Sequence, residues 1–377
     1  MKKYFFITVF VLSSLISSGQ ELQNFRPQQV VSPEISGGRV TFRIAARDAN
    51  NVRLSGSWMR PSDTEALTKN AEGVWSITIN APTPEIYTYN FIVDGVSVND
   101  AANIFVQRDG RRFLSVLLID GALTANYREA TKRGNVEHVW YNSPTIGTTR
   151  RMTVYTPHGY VGSNQRYPVL YLLHGGGGDE EAWVSMGRAA QILDNLIEQG
   201  KAVPMLVVMP NGNPGQQAAQ TLMLPERTFD RNNPAFANLY IHSLVRDIVP
   251  YIEANYRVIA EPNARAISGL SMGGGHTVDA ARAYPGFFSW ILPLSAGIPQ
   301  PNKENDDADF QAIKRAGYKL YWVACGTEDV LAWANNLNII NVLERNGLEH
   351  TFRVTGGGHT WSEWRIYLNE FATLLFK

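Results

Sequence analysis

Four stretches in the second half of the chain are almost unbroken in apolar residues: Tyr167 to Leu173 (YPVLYLL), Met205 to Met209, Trp290 to Leu294 and Leu320 to Ala324. Short runs without polar alternation are what strands look like when both faces of their sheet are covered. Helical patterns lie between and after them, at Ala189 to Gln199, Leu239 to Asn255, Gly273 to Tyr284, Leu331 to Asn346 and Ser362 to Phe376. The alternation predicts an α/β domain, a mostly parallel sheet with helices on both faces, over residues 134–377. Val136 to Tyr141 and Arg151 to Tyr155 read as two further strands at its start.

The first part of the chain has a different rhythm. Arg39 to Ala45 alternates, with Val40, Phe42 and Ile44 on one face, and Asn51 to Leu54, Val74 to Ile79, Ile86 to Val93 and Phe113 to Leu118 behave similarly. Turn pairs such as Asp94-Gly95 and Asp109-Gly110 separate them. Short strands with frequent turns predict a small all-β, immunoglobulin-like sandwich over residues 25–120, joined by a polar linker at 121–133. Before it, Lys2 and Lys3 precede the apolar run Tyr4 to Leu12 and the small, polar stretch Ser13 to Gln20. That order is the pattern of a secretory signal peptide over residues 1–20, which predicts a periplasmic or secreted protein.

Composition removes several classes of function. Lys+Arg and Asp+Glu both number 34, so a broad basic surface for nucleic acid is not expected. No apolar run after the first 20 residues could span a membrane. The single cysteine, Cys325, excludes an internal disulfide and a cysteine-cluster metal site, and reads as a small buried residue. The histidines lack paired metal-ligand spacing, so no metal is expected. The acidic run Asp306-Asp307-Ala308-Asp309 reads as a solvated loop.

The nucleophile candidate is Ser271. Ala264 to Ser268 reads as a strand running into Gly269-Leu-Ser271-Met-Gly273, followed by a helix. G-x-S-x-G between strand and helix places a serine hydroxyl on a sharp turn at the carboxyl end of a sheet. Ser295 lacks the preceding glycine and reads as a strand-end residue. A serine hydroxyl needs a base to take its proton. Of the seven histidines, His359 in Gly356-Gly-Gly-His359-Thr-Trp361 follows a probable strand and precedes the last helix. His276, one turn into the helix after Ser271, reads as structural, and His138, His158, His242 and His350 lack motif context. An acid must fix the base's tautomer. Asp329, just past strand Leu320 to Ala324, is the choice, with Glu328 beside it as the substitute.

The order Ser, Asp, His is that of the α/β-hydrolase fold. An oxyanion needs preorganised donors. The Met272 N–H is one candidate, and either Gly175 or Gly176, in His174-Gly-Gly-Gly-Gly178, is the other. The acids Asp179, Glu180 and Glu181 that follow would repel a phosphate, which weakens a phosphate-cradling reading of that loop.

His174-Gly-Gly-Gly-Gly, Gly269-Leu-Ser-Met-Gly-Gly and Gly357-Gly-His359-Thr-Trp361 together resemble carbohydrate esterase family one, which includes feruloyl and acetylxylan esterases. The resemblance runs from about Asn126 to the end of the chain. It implies Ser271, His359 and Asp329 as a triad without a cofactor, and a feruloylated or acetylated xylan or xylo-oligosaccharide as substrate. Gly73-Val-Trp-Ser-Ile, Ile86 to Gly95 and Asn99-Asp-Ala-Ala-Asn103 resemble the early-set sandwich found beside glycogen-branching enzymes. That likeness makes Trp58 a candidate for stacking on sugar. Candidate linings of an acyl slot are Trp183, Trp333, Trp361 and Phe236, with Leu222 to Leu224 in a long loop from about Asn211 to Asn238. Ferulate is the favoured acyl group and acetate the second. The rival readings are a siderophore esterase, an acyltransferase passing the acyl group to a sugar, and a non-catalytic carbohydrate-binding protein.

Overall fold

The computed structural model describes residues 30–60, 62–110, 112–219, 221 and 238–377. The expected signal segment 1–20, Phe236 and Leu222 to Leu224 lie outside the described residues.

The first strands are β1 (Glu34–Ser36), β2 (Arg39–Ala45), β3 (Val52–Gly56), β4 (Glu65–Ala66), β5 (Thr68–Lys69), β6 (Val74–Asn80), β7 (Ile86–Val93), β8 (Val96–Val98), β9 (Val106–Asp109) and β10 (Arg112–Leu118). They form two antiparallel sheets, β1-β2-β6-β5 and β4-β3-β7-β10-β9, with β8 paired to β7. Alternation decides which face is inward: Val40 and Phe42 from one sheet meet Leu54, Tyr89 and Phe91 from the other in a shared core. The 121–133 stretch is packed rather than loose. It holds a 3-10 turn, Ala122–Tyr127, whose Thr124 and Tyr127 are buried.

The rest is one eight-stranded sheet ordered β11-β12-β14-β13-β15-β16-β17-β18. The strands are β11 (Asn135–Ser143), β12 (Thr148–Thr156), β13 (Val169–Leu173), β14 (Leu206–Pro210), β15 (Arg265–Leu270), β16 (Trp290–Leu294), β17 (Leu320–Gly326) and β18 (Thr351–Thr355). From β14 onward along that order the neighbours are parallel, and β11 and β12 form an antiparallel edge. The helices are α1 (Ala182–Ser185), α2 (Ala189–Glu198), α3 (Leu239–Ser243), α4 (Val249–Asn255), α5 (Met272–Ala283), α6 (Lys303–Ala316), α7 (Trp333–Arg345) and α8 (Trp361–Phe371).

Two cores cover the two faces of this sheet, and single strands feed both. In β13, Val169, Tyr171 and Leu173 enter one core while Leu170 and Leu172 enter the other. Tyr321 and Val323 of β17 oppose Trp322 and Ala324 in the same way. Each valine or leucine among them contributes roughly 1.5–3 kcal/mol on burial, which is why these strands carry no polar alternation. The second core also takes Ile86 from β7 and packs against Val116 and Leu118 of β10, so the sandwich shares it. Among the described residues no helix is long and apolar enough to cross a membrane.

Two expectations are corrected. The acidic run 306–309 is not a solvated loop but part of α6. Asn302 caps that helix by accepting from the Asn305 N–H, acids in the first turn suit its positive end, and Phe310 and Ile313 bury its inner face. Asp306 itself is buried and lies 3.1 Å from Arg282. The helix expected over 239–255 is interrupted by a π-helical turn at Leu244–Ile248, ahead of Pro250 in the first turn of α4.

Candidate active site

The carboxyl ends of β15, β17 and β18 carry the three predicted side chains. Ser271 follows β15 and opens α5 with φ 53° and ψ −117°, a left-handed backbone that a serine adopts only where its surroundings impose it. Its amide donates to the Leu294 carbonyl of β16 at 2.9 Å, and its carbonyl accepts the Gly275 amide at 3.0 Å. The residue is thereby pinned on both sides, with its hydroxyl at the helix N-terminus.

Asp329 and His359 are brought together. His359 Nδ1 donates to Asp329 Oδ2 at 2.8 Å and Oδ1 at 3.0 Å. Asp329 is fully buried, and its Oδ1 also accepts the Leu331 and Ala332 amides at 3.2 and 3.0 Å. Burial works to raise its carboxyl. The His359 hydrogen bond and charge, with Ser295 and the Ala332 amide, outweigh that and hold it below the usual carboxylate range. An ionised Asp329 requires the proton on His359 Nδ1, leaving Nε2 as the free base. The His359 ring also stands edge-on to Trp364, with centroids 5.0 Å apart. The two loops meet backbone to backbone: the Glu328 amide donates to the Gly357 carbonyl at 3.1 Å, and a side chain at Gly326 would run into that same carbonyl. No hydrogen bond joins Ser271 Oγ to the His359 ring among the described residues. Catalytic contacts of this kind often tighten only around substrate.

The glycine loop lies against the serine. A Cβ at Gly175 would meet Leu270 Cδ1 at 2.5 Å and Ser271 Cβ at 3.3 Å, so glycine eases this close approach, whereas a Cβ at Gly176 would meet none of the described residues within 4 Å. His174 is buried, and burial lowers its pKa below the ordinary imidazole range. Its Nδ1 donates to the Gly175 carbonyl at 2.7 Å and its Nε2 accepts the Gly212 amide at 2.8 Å, so it braces the loop in its neutral form. Met272, the first residue of α5, has an amide with no acceptor inside the helix, as every helix start does.

Other predicted residues separate into those near the site and those in cores. Trp183 is corrected from a substrate contact to a core residue: it is fully buried and its indole N–H donates to the Leu173 carbonyl at 2.9 Å. Trp361 is partly exposed and packs edge-on to Trp183 and Trp364. Trp333 stacks on Phe352, with centroids 5.9 Å apart. Trp58 stacks on Phe42 at 5.7 Å inside the sandwich, so that face is not free for a sugar. Cys325 is buried beside Asp329, and burial first, then that carboxylate, pushes its thiol up to about 12. It is inert as a nucleophile.

One residue that sequence reasoning placed only as a strand end has a larger part. Ser295 takes a left-handed backbone, φ 47°, at the end of β16. Its hydroxyl accepts the Trp364 indole N–H at 3.0 Å, which ties it to α8, and its influence helps to hold the Asp329 carboxyl down. The apolar run ending at Leu294 pointed to a strand end there, but nothing in the sequence shows what the hydroxyl reaches.

Residues 143–373 match the esterase family, and the chain belongs to it, a family of carboxylic-ester hydrolases. An endo-1,4-beta-xylanase/feruloyl esterase of Xylanibacter ruminicola is 31% identical over 350 residues, covering 91% of this chain and 45% of that protein. The chain thus spans less than half the length of that relative. A solved ferulic acid esterase is 26% identical, with a TM-score of 0.54 over 64% of this chain and 98% of its own. The enterobactin esterase of Shigella flexneri is 14% identical with a TM-score of 0.64, covering 89% of this chain and 92% of its own, a likeness of fold that takes in the sandwich.

Proposed function

We propose that this member of the esterase family removes feruloyl groups from xylan by acyl transfer through Ser271 to water. His359 Nε2 takes the hydroxyl proton as Ser271 attacks the ester carbonyl. Asp329 stabilises the imidazolium and holds its tautomer. The oxyanion is received by the Met272 amide and by an amide of the Gly175-Gly176 pair. His359 then protonates the departing sugar alkoxide. Water, deprotonated by the same imidazole, releases ferulate and restores the serine. Each step uses side chains and amides of this chain together with water.

The observation that carries this reading is the His359–Asp329 pair, 2.8 Å apart, at the sheet end that also holds the strained Ser271 and the glycine loop. The choice of acyl group and polysaccharide is supported by the relative named xylanase/feruloyl esterase and the ferulic acid esterase likeness. The charged and apolar segments at the start of the chain support export, which is where a polymer this large is met.

The test compares wild type and Ser271→Ala on feruloylated arabinoxylan, acetylated xylan and a chromogenic ester. The expected result is release of ferulate ahead of acetate by wild type, and a fall of ~10³-fold or more in the folded variant. Undiminished hydrolysis by Ser271→Ala ends the mechanism. Acetate released ahead of ferulate moves the substrate to acetylxylan.

A further inference from the structure

The acidic run behind the glycine loop takes no part in the chemistry above, yet every carboxylate in it meets an arginine. Arg151 of β12 reaches Glu180 Oε1 through Nε and Glu181 Oε1 through Nη2, both at 2.8 Å. The second arginine comes from the sandwich. Arg108 on β9 sets its Nη2 2.7 Å from Asp179 Oδ2 and 3.3 Å from Glu181 Oε2. Its Nη1 donates to the Gly110 carbonyl at 2.8 Å, which fixes the fork against the hairpin turn. The Arg108 and Asp179 side chains are only 11% and 4% exposed, so water screens the pair little. Burial works against the Arg108 charge, but Asp179 and Glu181 outweigh it and raise its pKa above the ordinary value.

The same hairpin touches the loop directly. A Cβ at Gly110, which sits at φ +57°, would meet the Gly177 carbonyl at 3.0 Å. Beside it, the Gln107 side chain donates to the Ser185 carbonyl at 3.1 Å. Asp179 passes the restraint inward: its Oδ1 accepts the Glu181 amide at 3.0 Å and its carbonyl accepts the Ala182 amide at 3.1 Å. The turn that leads out of the glycines into α1 is therefore built around a carboxylate that the sandwich holds.

We propose that Arg108 is a positioning residue for acyl transfer: through Asp179 it holds the Gly175 to Gly178 loop at the spacing from Ser271 where a loop amide meets the oxyanion. A run of four glycines has wide conformational freedom, and an oxyanion donor works only when preorganised. The sandwich then acts on the chemical step itself, whether or not it touches a glycan. The inference rests on the reading that this loop supplies an oxyanion donor.

A small, sugar-free chromogenic ester tests it, with reactive serines counted by phosphonate titration so that rates refer to folded sites. Wild type and Ser271→Ala are measured first. An inactive wild type or an undiminished Ser271→Ala refutes the esterase reading, a result separate from any Arg108 effect. Given that activity, Arg108→Ala is expected to lower kcat per titrated site about tenfold or more, since loss of a whole oxyanion donor costs ~10²–10³-fold. KM is expected to change little, and Arg108→Lys to recover part of the rate. An unchanged kcat in Arg108→Ala overturns the proposal, as does a fall confined to polysaccharide substrates. Should Arg108→Ala not fold, Asp179→Asn, which keeps the shape and removes the charge, carries the same two outcomes.

Discussion

His276 sits one turn into the helix behind Ser271. Its ring packs against Tyr240 with centroids 4.8 Å apart, and its Nδ1 is buried without a hydrogen-bond partner among the described residues. Burial, then the neighbouring His174, lowers its pKa to about 4. The unfolded chain takes up that proton below about pH 6.5, while the folded chain resists it until about pH 4. In that window the unfolded state binds more protons, so stability falls as pH drops. Urea melts of wild type and His276→Gln at pH 7 and pH 4 are expected to differ, wild type losing about 3 kcal/mol more than the variant across the window. Equal losses would show that the imidazole is not shielded. At this scale the sequence was informative where a motif named candidates that the structure sets at one sheet end, as for Ser271, Asp329 and His359. It was silent where a side chain could equally pack or touch substrate. Trp183 and Trp361 lie on neighbouring elements and even touch, yet one is sealed in the core and the other partly open.

Strands of the large sheet could be read almost to their ends, because burial on both faces leaves an apolar signature that few other elements produce. Helix α6 was missed for the opposite reason. Its acidic first turn dominates the composition, and only Phe310 and Ile313 mark the buried side. The π turn before α4 was also hidden, since hydrophobic spacing runs through it unchanged in type. What no periodicity could show is how loops at neighbouring strand ends rest on one another. Glycine at 326 lets the Asp329 loop lie against the His359 loop. Gly326→Ala drives a methyl group into the Gly357 carbonyl and is expected to destabilise the fold by about 1–3 kcal/mol. It is also expected to lower kcat well beyond what the lost folded fraction explains, because Asp329 and His359 are pushed apart. Chemical denaturation beside kcat per titrated serine separates the two effects, and a kcat that simply tracks the folded fraction would rule out the coupling.

Across the whole molecule, two regions were evident from a change of rhythm near residue 120, but their union was not. Arg365 on α8 reaches back 280 positions to Glu85 at 2.9 Å, and also donates to the Met186 and Ile86 carbonyls. Contacts of that span have no local trace in a sequence. Both partners are buried, and burial raises the Glu85 carboxyl even though Arg365 opposes the shift. Arg365→Met leaves that carboxyl alone and is expected to cost about 3–5 kcal/mol in denaturation at pH 7. The loss is expected to narrow at acid pH, where a raised Glu85 accepts a proton and sheds its charge. Equal destabilisation at both pH values would point to lost packing instead. Arg108 and Arg365 thus stitch the small β half to the larger one at two places, one at the turn that follows the glycine loop and one on the helix after His359. A chimera that trades residues 30–119 for an unrelated module would inherit an aspartate, Asp179, without its arginine and a guanidinium, Arg365, without its carboxylate. The two halves are therefore expected to tolerate exchange only as a single heirloom, passed on together.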